Sequence, residues 1–250
     1  YFYFSGVEYI KQDSLLQPFL HTWSLSVEEQ YYIFFPIILI TIYKYFRKYL
    51  LSVLYIGFFI SLLIADWGSK NFSSATFYFL HTRMWELIVG SLLAYFEISR
   101  KGRSNNSKLN LILPFLGILL ISHAIIFFND QMFHPSFYTI SPILGVSLII
   151  WFANKNEIIT KILSSRIFVS IGLVSYSMYL WHYPIFAFAR IKNNIPSQYD
   201  KFEWISLTLI LSVITYFFIE KFFRNKKTNF LKIFSIFLFT LITIFLSLFV

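Results

Sequence analysis

The sequence predicts an all-α fold, a polytopic bundle of transmembrane helices, on three observations. First, 57% hydrophobic, 22% aromatic and only 13% charged residues cannot be wrapped as one soluble domain without leaving large apolar patches in water. Second, apolar runs of about 17 to 25 residues recur along the chain, the length a helix needs to cross a ~30 Å hydrocarbon core. Third, basic residues gather in every second loop, as topology signals do. The formal charge of +9 is therefore read as orientation in a membrane and not as nucleic-acid binding. With no cysteine in its 250 residues, the chain has no disulfide, thiolate metal site or cysteine nucleophile, and is silent on redox compartment.

Eight candidate spans follow in order. Span A, 27–46, is the apolar run after "HTWSLS", and span B, 49–66, is "YLLSVLYIGFFISLLIAD". Span C, 75–98, carries Arg83 and Glu86 within it. Span D, 109–128, starts at the end of "KGRSNNSKLN" (101–110), the most loop-like stretch, and span E, 137–153, is short. Span F, 166–190, contains Pro184, whose missing N–H predicts a bend and a spare carbonyl beside His182. Span G, 203–223, and span H, 230–250, complete the set, and no internal repeat is evident. Fifteen basic residues fall after spans A, C, E and G, against five on the other side. The richer side is thus expected to be cytoplasmic, with residues 1–24 and 191–202 facing outward. Since the chain opens without an initiator Met although span A starts outside, an odd number of upstream spans is expected to be missing and the chain to be a fragment.

Ionisable groups inside spans are the informative ones, because each costs roughly 2.5–3.5 kcal/mol at a helix centre. At the mouth of span A, Ser24, Glu28 and Tyr31 or Tyr32 share a face at i, i+4 and i+7 or i+8. Capping offers a plain alternative: Ser24 or Ser26 closes the helix and Glu28 and Glu29 complement its dipole. Two carboxylates exceed what capping needs. In span C, Arg83 and Glu86 at i, i+3 either neutralise one another or leave the planar guanidinium for an anionic or carbonyl oxygen. Gly90, one turn on, would admit a close neighbour or ligand. In span F, Ser175, Tyr179 and His182 recur at i, i+4, i+7 as a polar stripe, unless Trp181, His182 and Tyr183 form an interfacial aromatic belt. His123 reads as a packing residue, and the loop-borne His134 carries no pattern.

Three stretches, "HTWSLSVEEQYYIFFPIIL" at 21–39, "TRMWELIVGSLLAYF" at 82–96 and "IGLVSYSMYLWHYPIF" at 171–186, resemble in order and spacing the acyltransferase 3 family of membrane-bound bacterial O-acyltransferases. The resemblance implies O-acetylation of lipopolysaccharide, peptidoglycan or another cell-envelope polysaccharide at the cytoplasmic (inner) membrane. It implies a bundle of ten or eleven helices, acetyl-CoA (acyl-CoA) as a cytoplasmic donor substrate with no bound cofactor or metal, and a glycan or glycolipid acceptor outside, amid membrane lipid. Span H resembles the extra helix that in many members leads to a further domain. By motif position it places Glu28, Arg83 and His182 as catalytic, with Trp23, Ser24, Glu86, Ser175, Tyr176 and Tyr179 binding substrate. The arginine segment and histidine that the family carries in its opening helices are not found ahead of span A, so the fragment alone is expected to be inactive. A transporter or flippase of a glycan or acylated intermediate is the rival class, since polar residues in a bundle also mark a substrate path.

Overall fold

The computed structural model describes residues 15–224, apart from 105, 130–131, 155–156 and 193–196; span H lies outside the described residues. Among these residues four helices are long and apolar enough to cross a membrane: Leu20–Tyr45, Arg47–Asn71, Ser107–Phe127 and Gln198–Phe223. They correspond to spans A, B, D and G. The chain divides into two compact units, Tyr1–Phe168 and Val169–Val250, each described by itself.

In the first unit α1 spans Trp23–Tyr45 and α2 Leu50–Asn71. No side chain caps α1: Thr22 at its start donates to the Phe19 carbonyl and Ser24 to that of His21. Ser24 and Ser26 therefore lie inside the helix, and among the described residues the serine cap of the alternative reading is not formed. α2 runs beyond the expected end, to Asn71, and its last turns carry the pair of Lys70 with Asp66 one turn back, at 2.6 Å. Span C is two helices, α3 (Ser73–Tyr78) and α4 (Leu80–Ser99), parted at Phe79 by extended backbone at φ −94°, ψ 145°. The buried Thr82 hydroxyl holds this break, donating to the carbonyls of Thr76 and Phe79 at 2.5 and 2.8 Å.

Helix α5, Ser107–Phe127, starts at Asn106, whose side chain accepts from the Lys108 and Leu109 N–H groups. It crosses α6, Ile140–Phe152, where Gly117 meets Gly145. A Cβ on either would come within 2.6 Å of the other's carbonyl oxygen, so only glycine permits this approach. At Gly90, by contrast, a Cβ would meet no other atom within 4 Å among the described residues. A short helix the sequence did not suggest, α7 (Ile158–Leu163), follows.

Two small cores tie α1, α2 and α4 together. Tyr31, Leu54 and Ile88 form one; Leu62, Ala65 and Trp85 form the other. The buried Ser61 hydroxyl on α2 donates to the His81 carbonyl at 2.7 Å and accepts from the Trp85 N–H at 3.1 Å. These are the two groups that a helix ordinarily pairs with each other, so Ser61 enters the ladder of α4 at the turn that carries Arg83.

Helix α8, Arg166–Lys192, and α9, Gln198–Thr215, follow, and the second unit holds most of α8 and all of α9. α9 opens on a capping box between Ser197 and Asp200 and continues as a π-helical turn, Tyr216–Glu220. Among the described residues, a few side-chain contacts link α8 to α9 and the turn that follows it. Trp181 donates to Thr215 Oγ1 at 2.8 Å, and the buried Ser177 donates to Glu220 Oε2 at 3.0 Å. Phe186 packs on Trp204. α8 is continuous through Pro184.

A candidate active site at the head of helices 1 and 4

The break at Phe79 and the Ser61 contact fix where α4 begins, and so where Arg83 stands. Its guanidinium carbon lies 4.9 Å from the ring centroid of Trp23 on α1 and 5.5 Å from that of Phe77 on α3, with Trp23 and Phe77 themselves 4.4 Å apart. Its Nε is 3.6 Å from Glu86 Oε1, and the two side chains are only 22% and 21% exposed. At that separation the pair is an ionic contact more than a strong hydrogen bond. Arg83 is thus oriented by two aromatic faces and one carboxylate, a desolvated setting in which cation–π attraction is strongest.

A cavity of about 90 Å³ opens here, lined by Trp23, Ser24, Val27, Glu28, Arg83, Glu86 and Leu87. Five residues selected in the sequence, Trp23, Ser24, Glu28, Arg83 and Glu86, therefore meet at one place although up to 63 positions separate them. Glu28 is exposed yet lines the cavity, whereas Glu29, about 100° round the helix, is exposed and does not. Just below, Tyr31 Oη and Ser91 Oγ lie 2.9 Å apart and close the space between α1 and α4.

The other four selected residues belong to the second unit. His182 Nδ1 is 2.7 Å from the Tyr179 carbonyl and 3.2 Å from that of Met178. Since a carbonyl can only accept, Nδ1 is the donor in this contact, which fixes the orientation of the ring. Tyr179 and Tyr183 pack against this imidazole at 5.7 and 5.9 Å. Ser175 and Tyr176 are exposed, and Ser175 donates back to the Gly172 carbonyl.

Several contributors escaped the sequence reading. Phe77 sits across a helix break from Arg83, where no periodicity links them. Ser61 is one serine in an apolar run. In the second unit Glu220, a further carboxylate within span G, is held by Ser177 and by Arg224 at 3.0 Å. His134 lies where burial, and then the positive charge of Arg83, hold its imidazole below the ordinary histidine range. Among the described residues no cluster of three His, Asp or Glu side chains could hold a metal ion.

Comparison with known proteins places this geometry in context. A family model described as an acyltransferase domain matches residues 1–248. A Staphylococcus aureus (strain COL) protein named "Putative O-acetyltransferase SACOL0978" is 33% identical over 88% of this chain and 38% of its own length. "O-acetyltransferase OatA" of Staphylococcus aureus (strain NCTC 8325 / PS 47) is 30% identical over the same shares. The chain thus spans well under half the length of these curated relatives. No solved structure matches it.

Proposed function

The chain belongs to the acyltransferase domain family, and from that premise we propose that it is the membrane part of an O-acyltransferase. The acyl group, an acetyl, passes from acyl-CoA on the cytoplasmic side to a hydroxyl of a cell-surface or lipid-linked polysaccharide, at the bacterial cytoplasmic membrane. The observation that carries the reading is the meeting of Glu28, Trp23 and the Arg83–Glu86 pair around one cavity.

The chemistry needs three things. The acceptor hydroxyl loses its proton to a base as its oxygen bonds to the thioester carbonyl carbon, giving a tetrahedral oxyanion; that intermediate then collapses with cleavage of the C–S bond, releasing the ester and the coenzyme thiolate. Arg83, held rigid by Trp23, Phe77 and Glu86, presents a planar set of donors for the oxyanion of the tetrahedral intermediate. Trp23 offers an apolar face for a pyranose, and Ser24 and Glu28 offer hydrogen bonds to its hydroxyls. To His182 of the second unit we assign the proton-accepting role, imidazole being the usual general base in such transfers.

The test compares two neighbours in the whole protein. Glu28→Gln keeps shape and hydrogen bonding while removing charge, and it is expected to cut acetylation of surface glycan sharply at unchanged protein level. Glu29→Gln loses a dipole contact worth roughly 0.3–1 kcal/mol and stays largely active. Equal activity of the two variants returns the pair to a helix-dipole role, and selective loss with Glu29→Gln means the wrong face of α1 was chosen. Arg83→Lys keeps charge and loses the planar fork; near-normal transfer in that variant reduces Arg83 to a point charge.

A further inference from the structure

A groove lies at the other end of α1 from the candidate active site, and the acyl-transfer reading makes no use of it. It has a volume of about 690 Å³ and runs between α1, α2 and α4. Its walls are apolar, from Phe35 and Leu39 on α1, Leu54 on α2 and Ala94 on α4. At its deep end stands Ser91, whose Oγ meets the Tyr31 hydroxyl. At its mouth stand Lys44 and Arg47, both exposed, with Arg47 lying 4.8 Å over the Tyr43 ring.

Length and charge together identify the occupant. From Phe35 to Lys44 is nine residues, about 14 Å along a helix at 1.5 Å per residue, or close to half of the ~30 Å hydrocarbon core. The groove is therefore one leaflet deep. Its cations each meet a tyrosine ring, Lys44 that of Tyr45 and Arg47 that of Tyr43, the ring-and-base arrangement of a headgroup zone. An occupant must offer hydrocarbon along the walls and negative charge at the mouth. A coenzyme nucleotide would instead need partners for its base, ribose and amides, and below the cations the walls supply little beyond serine and tyrosine hydroxyls. We propose that this groove is a binding site for one anionic phospholipid, its phosphate between Lys44 and Arg47 and its chains along α1 and α4. Basic pockets between transmembrane helices are a recurrent means of holding such headgroups.

The test uses the full chain in nanodiscs of phosphatidylcholine, titrated with phosphatidylglycerol, and reads bound lipid by native mass spectrometry. Wild type is expected to retain phosphatidylglycerol through detergent exchange. The Lys44→Gln/Arg47→Gln variant, both positions exposed and so tolerant of change, is expected to bind it about thirtyfold more weakly, as two basic contacts are lost. Lys101→Gln/Lys108→Gln removes two cations outside the groove and is expected to bind as wild type does. Equal loss in both variants would reduce the effect to diffuse surface attraction and overturn the proposal, as would failure of wild type to retain the lipid. Displacement of the lipid by acyl-CoA that depends on Lys44 and Arg47 would overturn it too, assigning the groove to the donor. Because lipid is counted directly, these outcomes are independent of whether glycan is acetylated.

Discussion

Replacing Arg83 by Gln tests whether the head of α4 is held by charge balance. In the structure Arg83 faces two rings at 4.9 and 5.5 Å and one carboxylate at 3.6 Å. Losing the two cation–π contacts costs about 1–2 kcal/mol in a desolvated setting. Glu86, 21% exposed, is left without its cation. Breaking a fully buried pair costs roughly 3–5 kcal/mol, and residual solvent reduces this to about 2–3 kcal/mol. Arg83→Gln alone is then expected to destabilise by about 3–5 kcal/mol, but by only about 1–2 kcal/mol when made in Glu86→Gln. The coupling is about 2–3 kcal/mol. The assay is denaturant unfolding of the four proteins in one detergent, with surface-glycan acetylation measured beside it. A coupling below about 0.5 kcal/mol, the scatter of independent sites, would refute the charge-balance argument. If the double variant regains stability and also regains transfer, Arg83 is a structural partner and its role at the oxyanion falls; regained stability without transfer is the expected result.

Gly117→Ala forces a methyl against the Gly145 carbonyl at 2.6 Å and is expected to destabilise by about 1–3 kcal/mol. Gly90→Ala, in open space, is expected to gain up to about 1 kcal/mol of helix propensity; the same unfolding assay ranks them. Ser61→Ala removes both hydroxyl contacts on α4 and should lower stability by about 1–2 kcal/mol, with faster amide exchange at Trp85 as the local readout. Ser177→Ala removes a donor to the Glu220 carboxylate, worth about 1.5–3 kcal/mol for a charged acceptor, and is read by unfolding. For His134, whose folded-state pKa is lowered by burial and by Arg83, the unfolded chain binds the proton more readily. Its contribution is fully present above the ordinary value of about 6.5 and is lost as pH falls through the lower folded-state value. Melting temperature measured across this range should fall more steeply on acidification in wild type than in His134→Gln.

By itself the sequence determined that the chain is helical and built for a bilayer. Apolar runs of span length leave the backbone no other way to satisfy its hydrogen bonds in lipid, and spans A, B, D and G appear as helices long and apolar enough to cross. Local spacing likewise determined that Arg83 and Glu86 share a face, because neighbours at i, i+3 touch whatever surrounds them. What depends on contacts between distant segments was decided by tertiary structure. Span C breaks at Phe79, and the helix that follows the break is held from α2 by Ser61, which takes the His81 carbonyl and the Trp85 N–H. Phe77 reaches Arg83 across that break, and Gly145 meets Gly117. The choice between Glu28 and Glu29 rests on the same ground. The sequence separates them by about 100° of helix, but only the packing of α1 against α4 decides which carboxylate shares a cavity with Arg83.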